Sequence, residues 1–205
     1  MRVLVVYNFD GCRLGQIGAA LREAGAEIDL VRAHLGEPLP DDSTGYDGMV
    51  ILGGVQNALA DHTSPWLPKL VDVMRSFTES EKSLLGVCLG SQLLARAYGG
   101  RNIIGGASEF GWQRVDLTSE GAADPLFAGT SSSFPIFQWH DDTFTLPKGA
   151  ERLAPAASGS PSGLMGPRRR APSPRPNSEA MPCDSDQMCS AIISAGGRGT
   201  PGGVI

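Results

Sequence analysis

Short apolar runs alternate with segments of helical spacing along the first 150 residues of the chain. Continuous apolar runs indicate strands that are buried on both faces, as in parallel sheets. Such runs lie at residues 2–7, 26–31 and 49–52 and in the residues that lead into Cys88. Helical spacing follows at residues 17–24, 66–77 and from 89 onward. The pattern therefore predicts a repeated strand–helix unit.

This alternation predicts an α/β fold, with an open, mostly parallel sheet and helices on both of its faces. Gly25 is placed to end the first helix, and Pro65 is placed to lie in the first turn of the second. Residues 112–117 and 134–139 have the character of later strands.

The pattern changes after Ala154. Every aromatic residue and every histidine of the chain precedes residue 145, and the rest is rich in proline, serine, glycine and arginine. Such a segment lacks the apolar surface that offsets the entropy of ordering. We therefore expect one domain at residues 1–154 and a tail at 155–205 that is disordered or is an out-of-frame translation.

Charge and composition exclude several classes of protein. A net charge of −5 argues against a nucleic-acid binder. No segment approaches the ~20 apolar residues of a membrane span, and the first strand is too short for a signal peptide, so the cytoplasm is the expected compartment. The four cysteines and three histidines show neither a disulfide framework nor metal-ligand spacing. We expect no metal and no cofactor, surface positions for His34 and His62, and no role for Cys12.

Cys88 carries the strongest chemical signal in the chain. It lies between Gly86 and Gly90, after an apolar run and before a helical segment. This is the pattern of a nucleophile elbow, in which a sharp strand-to-helix turn exposes a reactive side chain. A helix beginning at Leu89 would place backbone N–H groups and a positive dipole end beside the sulfur, which favours the thiolate.

Around this elbow the sequence resembles the class I glutamine amidotransferases, especially stand-alone members similar to the amidotransferase domain of GMP synthase. The resemblance covers roughly residues 1–154. It is carried by the segments Cys88–Gln92, Leu52–Gly54, Ser64–Leu67, Glu109–Trp112 and Trp139–Phe144. It implies a flavodoxin-like sheet and hydrolysis of glutamine through a γ-glutamyl thioester on Cys88. The ammonia would pass to an acceptor such as a synthetase subunit.

The resemblance also implies roles for other residues. The N–H of Leu89 and the Gly53–Gly54 turn would form the oxyanion hole. Gln92 would contact the substrate, although it could instead be a surface helix residue. The substrate's α-amino and carboxylate groups would be bound by the segment Trp139, His140, Asp141 and Asp142.

The chain departs from the family in its catalytic base. Relatives supply a histidine and a glutamate from a late His-Pro-Glu type motif, whereas this chain has no histidine after His140. His140 itself already matches another part of the family pattern, so we expect a substrate-site or structural role for it. Val55 stands where relatives often have proline, and Asp141, where they often have glycine, adds a negative charge that should weaken glutamine binding.

Three functions remain open on this sequence. The first is glutamine hydrolysis, impaired by the missing base. The second is hydrolysis of γ-glutamyl peptides or conjugates by the same thioester chemistry. The third is a binding or regulatory protein that has kept the fold without catalysis.

Overall fold

The computed structural model describes residues 1–155 and the backbone of residues 163–167 and 192–195. Its central sheet contains four parallel strands, paired in the order β2-β1-β3-β4. These strands are β1 (Arg2–Tyr7), β2 (Glu27–Arg32), β3 (Gly48–Ile51) and β4 (Ser83–Val87). The four apolar runs of the sequence are therefore neighbours in one sheet, as the pattern predicted.

Two short hydrogen-bonded pairs of strands lie outside the central sheet. The first pairs β5 (Asn102–Ile103) with β8 (Thr143–Phe144), and the second pairs β6 (Glu109–Asp116) with β7 (Ser133–His140), both antiparallel. We call β6 and β7 the ribbon. The sequence predicted both of its strands but not their separation from the main sheet.

The central sheet continues past β4 with strands from the later part of the chain. β11 (Ile192–Ala195) pairs antiparallel with β4, and β10 (Gly163–Pro167) lies between β11 and β9 (Ala150–Pro155). β10 and β11 belong to the segment 155–205. The remainder of that segment, to which the prediction of a disordered or out-of-frame tail also applies, lies outside the described residues.

Helices cover both faces of the parallel strands. They are α1 (Gly15–Glu23), α2 (Leu67–Glu79) and α3 (Leu89–Ala97), whereas a short helix, α4 (Ser119–Ala123), packs against β9. Val3 and Val5 pack with Leu21 of α1 on one face, whereas the alternate residues of β1 pack under α2 and α3 on the other. Because successive strand side chains point to opposite faces, one apolar run serves both layers. The mostly parallel α/β fold is confirmed.

One helix begins differently from the prediction. α2 starts at Leu67, with Trp66 as its N-cap, so the proline of its first turn is Pro68 and Pro65 precedes the helix. Proline is tolerated in the first turn because the N–H that it lacks would have no intrahelical acceptor there.

Candidate active site

Cys88 occupies the sharp turn between β4 and α3. Its backbone has φ 53° and ψ −114°, and Glu81 is the other non-glycine residue with positive φ in the described chain. A residue with a Cβ rarely adopts positive φ, and such conformations collect at functional sites, where the surrounding structure enforces them. The elbow predicted from the glycine–cysteine–glycine pattern is therefore present in the backbone.

The two flanking glycines are required by packing. A Cβ on Gly86 would lie 2.6 Å from the carbonyl carbon of Gly90, and a Cβ on Gly90 would overlap the carbonyl oxygen of Ile51. The backbones of strand β4, helix α3 and the end of β3 are thus in direct contact, with no side chain between them. This close approach brings the start of α3 against the carboxyl end of the sheet, where α/β proteins bind their ligands.

The first turn of α3 leaves a donor beside the cysteine. The carbonyl of Cys88 accepts hydrogen bonds from the N–H groups of Ser91 and Gln92, at 2.9 and 3.2 Å. Leu89 is the first helical residue, and its N–H has no acceptor within the helix. Its position next to Cys88 is that of the oxyanion donor which the sequence predicted, and this role stays a prediction.

The Gly53–Gly54 turn lies against the elbow. A Cβ on Gly53 would lie 3.3 Å from the Cβ and 3.7 Å from the Sγ of Cys88, while a Cβ on Gly54 would lie 2.7 Å from Leu89 Cδ2. Absent side chains therefore let this turn approach both the sulfur and the residue that follows it. The structure brings together Cys88, Leu89, Gly53 and Gly54, which the sequence assigned to the nucleophile and the oxyanion hole.

Asn8 holds the residues on both sides of the Gly53–Gly54 turn, and the sequence analysis did not identify it. Its side chain, which is 2% exposed, donates to the carbonyl of Leu52 at 3.0 Å and accepts from the indole N–H of Trp66 at 3.1 Å. Gln56 donates in turn to the Asn8 carbonyl at 3.2 Å. A signal was available, since Asn8 is the first polar residue after β1 and thus lies at the carboxyl edge of the sheet.

Cys12, for which the sequence predicted no role, also lies in this region. Its thiol donates to the carbonyl oxygen of Gly53 at 3.3 Å. Burial raises the pKa of Cys12, and the negative charge of Cys88 raises this pKa further, whereas Arg13 lowers it. The two thiols therefore interact electrostatically and share Gly53 as a neighbour.

Gln92 is buried in α3, with 7% of its surface exposed. The alternative of a surface helix residue is therefore wrong. Its backbone carbonyl accepts from Asn102 Nδ2 at 3.1 Å, and Asn102 pairs with Phe144 of β8. This chain of contacts links α3 to the strand that follows the segment 139–142.

The segment 139–142 is bound to the loop at 105–108. The carbonyl of Asp141 accepts from the Ala107 N–H at 2.9 Å, and the Asp142 carboxylate accepts from the Gly105 N–H at 2.8 Å. Trp139 extends from the ribbon with about half of its surface exposed. Substrate binding by Trp139, His140, Asp141 and Asp142 remains a prediction.

His140 has both ring nitrogens in contact with other groups. Nδ1 lies 2.9 Å from the carbonyl oxygen of Asp142, and Nε2 lies 2.9 Å from Glu109 Oε2 in an almost buried pair. This arrangement ties the end of β7 to the beginning of β6. It favours a structural role, one of the two roles expected of His140, over proton abstraction from Cys88, and a role at the substrate site stays a prediction.

The other two histidines lie in different surroundings. His62 is exposed, as expected. His34 was expected at the surface but is only 12% exposed in its side chain, with Nδ1 3.0 Å from the Tyr7 carbonyl and Nε2 2.8 Å from Asp10. Burial opposes protonation of His34, but the hydrogen bonds to Asp10 and Tyr7 outweigh burial and raise its pKa. His34 thus holds the loop that carries Cys12.

The described part of the chain contains no cluster of three or more histidine, cysteine or carboxylate side chains that could hold a metal ion. Within the same residues, no helix has both the length and the apolar character needed to cross a bilayer.

Taken together, the parallel sheet and the cysteine on the turn into α3 define an α/β protein with a strand-to-helix elbow. The family model for glutamine amidotransferase class-I matches residues 5–172. The chain belongs to the class I glutamine amidotransferase family.

Individual relatives agree with this assignment. A glutamine-hydrolyzing GMP synthase subunit from Archaeoglobus fulgidus is 31% identical over 159 residues, which cover 75% of each chain. Gamma-glutamyl peptidase 5 from Arabidopsis thaliana is 32% identical over 140 residues, 64% of this chain and 54% of the relative. The crystal structure of a glutamine amidotransferase from Thermotoga maritima superposes with a TM-score of 0.68 at 31% identity, covering 75% of this chain and 66% of that one. The chain thus spans about half the length of the peptidase relative.

Proposed function

We propose that Cys88 attacks the side-chain carboxamide of glutamine, or the γ-amide of a γ-glutamyl compound, and forms a γ-glutamyl thioester. The observation that supports this most directly is the positive φ of Cys88 at the N-terminus of α3, with Gly53 against its sulfur. A thiolate is favoured beside a helix N-terminus, and a strained elbow holds it at the surface of the turn.

In the proposed reaction the sulfur bonds to the amide carbon and the carbonyl oxygen takes up negative charge. The Leu89 N–H and the Gly53–Gly54 turn would stabilise that charge, and one such donor is typically worth ~3 kcal/mol. The carbon–nitrogen bond then breaks, and the leaving nitrogen departs as ammonia or an amine after taking a proton. Water cleaves the thioester, releasing glutamate and restoring the thiol.

The absence of a histidine after His140 would limit this reaction. The three histidines are His34 and His140, whose ring nitrogens are engaged, and the exposed His62. General acid–base catalysis typically contributes 10²–10⁴-fold. We therefore propose slow turnover, in which the thioester forms and persists longer than in a complete active site.

Covalent labelling with a diazo ketone analogue of glutamine tests the proposal. The analogue should label Cys88 faster in the folded chain than in the urea-unfolded chain, and excess glutamine should slow labelling of the folded chain. Cys12→Ser serves as the matched control because it removes the neighbouring thiol and leaves Cys88. If labelling is no faster than in the unfolded chain and glutamine gives no protection, the chain is a non-catalytic binding or regulatory protein.

The second candidate is hydrolysis of γ-glutamyl peptides or conjugates, which the similarity to gamma-glutamyl peptidase 5 favours. The relative from Archaeoglobus fulgidus is instead named as one subunit of a synthase, which favours a partner that accepts ammonia. The two are separated by comparing ammonia release from glutamine with amine release from a γ-glutamyl dipeptide. A preference for the dipeptide in the absence of any partner identifies the peptidase.

A further inference from the structure

The thiols of Cys12 and Cys88 both lie next to Gly53. Cys12 donates to the Gly53 carbonyl oxygen at 3.3 Å, and Cys88 Sγ lies 3.7 Å from the position that a Gly53 Cβ would take. Both cysteines are half-buried and neither is in a disulfide. The pair is formed by residues far apart in sequence, one from the loop after β1 and one from the elbow after β4.

We propose that Cys12 is the resolving cysteine of a peroxide-sensitive pair, which forms a disulfide with Cys88 after oxidation of Cys88. The reaction takes hydrogen peroxide as its oxidant. The Cys88 thiolate attacks one peroxide oxygen, which breaks the O–O bond and gives a sulfenic acid and hydroxide, and the hydroxide takes a proton from solvent to become water. The Cys12 thiol loses its proton, and its thiolate attacks the Cys88 sulfur. The S–O bond breaks and the hydroxide that leaves takes up this proton as a second water.

The environments of the two sulfurs determine the order of these steps. Cys88 lies at a helix N-terminus, which favours its thiolate, and the thiolate is the form that peroxide oxidises. Cys12 is held as a thiol by burial and by the charge of Cys88, both of which raise its pKa. Conversion of Cys88 to a neutral sulfenic acid removes that charge, so Cys12 ionises more readily once it is needed as the attacking thiolate.

Any movement that bond formation requires would come from the loop that carries Cys12. A disulfide needs Cα atoms about 4.4–6.8 Å apart. Residues 9–11 and Arg13 are exposed, and the loop is joined to the rest of the protein by His34 through Asp10. By contrast, Cys88 is fixed between β4 and α3. We therefore expect the loop, rather than the elbow, to shift.

The test uses the full chain with Cys183→Ser and Cys189→Ser, so that Cys12 and Cys88 are the remaining cysteines. One equivalent of hydrogen peroxide should give a Cys12–Cys88 disulfide in non-reducing peptide mass mapping, and dithiothreitol should return both thiols. With Cys12→Ser added, Cys88 should be trapped as a sulfenic acid by dimedone and should pass to sulfinic acid, which dithiothreitol does not reverse. Cys12→Ala repeats the comparison, and thermal unfolding checks that both variants fold.

Two results would overturn the inference. One is oxidation of Cys88 to sulfinic acid while Cys12 remains a thiol, and the other is resistance of Cys88 to peroxide. Peptide mass mapping detects the oxidation state of the cysteines whether or not the protein hydrolyses glutamine. Failure of the proposed glutamine chemistry, seen as absent labelling by the glutamine analogue, is therefore distinguishable from failure of the thiol pair.

Discussion

Gly90 in the first turn of α3 packs directly on the carbonyl oxygen of Ile51 at the end of β3, with no room for a Cβ between them. The contact joins two adjacent parallel strands and the helix that follows the second one. It therefore sets how close the elbow of Cys88 lies to the sheet.

We expect Gly90→Ala to destabilise the protein by about 3 kcal/mol, because the new methyl group would push the backbone of α3 away from the Ile51 carbonyl of β3. Urea unfolding measures the change. Gly48→Ala is the matched control, since its Cβ would meet its nearest atom, the Ser83 carbonyl oxygen, at 3.4 Å, and should cost much less. Equal losses for the two variants would contradict the packing argument.

Asn8 should matter to both stability and the site. Asn8→Leu leaves the Leu52 carbonyl and the Trp66 indole N–H without their partner, which should cost about 2–3 kcal/mol. It should also slow labelling of Cys88 by the glutamine analogue, because Leu52 would no longer hold the adjacent Gly53–Gly54 turn in position against the cysteine. Unfolding and labelling rates are measured on the same preparation.

A second substitution separates the two hydrogen bonds of Asn8. Trp66→Phe removes the indole donor, so in the Asn8→Leu background it should cost less than it does alone. Strict additivity of the two substitutions would show that the Asn8–Trp66 bond contributes nothing.

Gln138 on β7 is a site where substitution should stabilise the protein. It is fully buried, and neither its amide nitrogen nor its amide oxygen has a hydrogen-bond partner in the structure as described. Gln138→Met retains the shape and removes the buried polar atoms, so we expect a gain of about 1–2 kcal/mol in the free energy of unfolding. A loss of stability in thermal or urea unfolding would show that the amide makes a bond that the structure does not display.

His34 should titrate above its ordinary pKa of 6.5, because the opposing effect of its burial is outweighed by its hydrogen bonds with Asp10 and the Tyr7 carbonyl. A raised pKa in the folded state means that the stability contributed by this group is fully present below the pKa of the unfolded chain. That contribution is lost as the pH rises through the folded-state pKa. NMR titration of the imidazole measures the pKa directly.

Asp10→Asn provides the control for this titration, since it removes the charge and leaves a side chain of the same shape. It should lower the His34 pKa and weaken the pH dependence of unfolding in the same range. An unchanged pKa in this variant would assign the shift to the Tyr7 carbonyl instead.

The sequence alone determined the parallel strands, the helices between them and the elbow at Cys88. These features are local, since an apolar run, a helical period and a glycine–cysteine–glycine turn each report on neighbouring residues. The resemblance then placed Leu89, Gly53 and Gly54 beside the cysteine, and the structure brings these residues together.

Tertiary structure decided the features that depend on residues distant in sequence. No local pattern shows that Asn8 bonds to Leu52 and Trp66, that Cys12 approaches Gly53, or that His140 pairs with Glu109. In the sequence, the ribbon looks like two ordinary strands. It is separate from the central sheet because β6 and β7 pair with each other. Pairing and packing join segments that lie far apart in the chain. The physical reason is that a local sequence pattern reports only on neighbouring residues, so it does not specify which distant segment supplies the partner of a buried polar group.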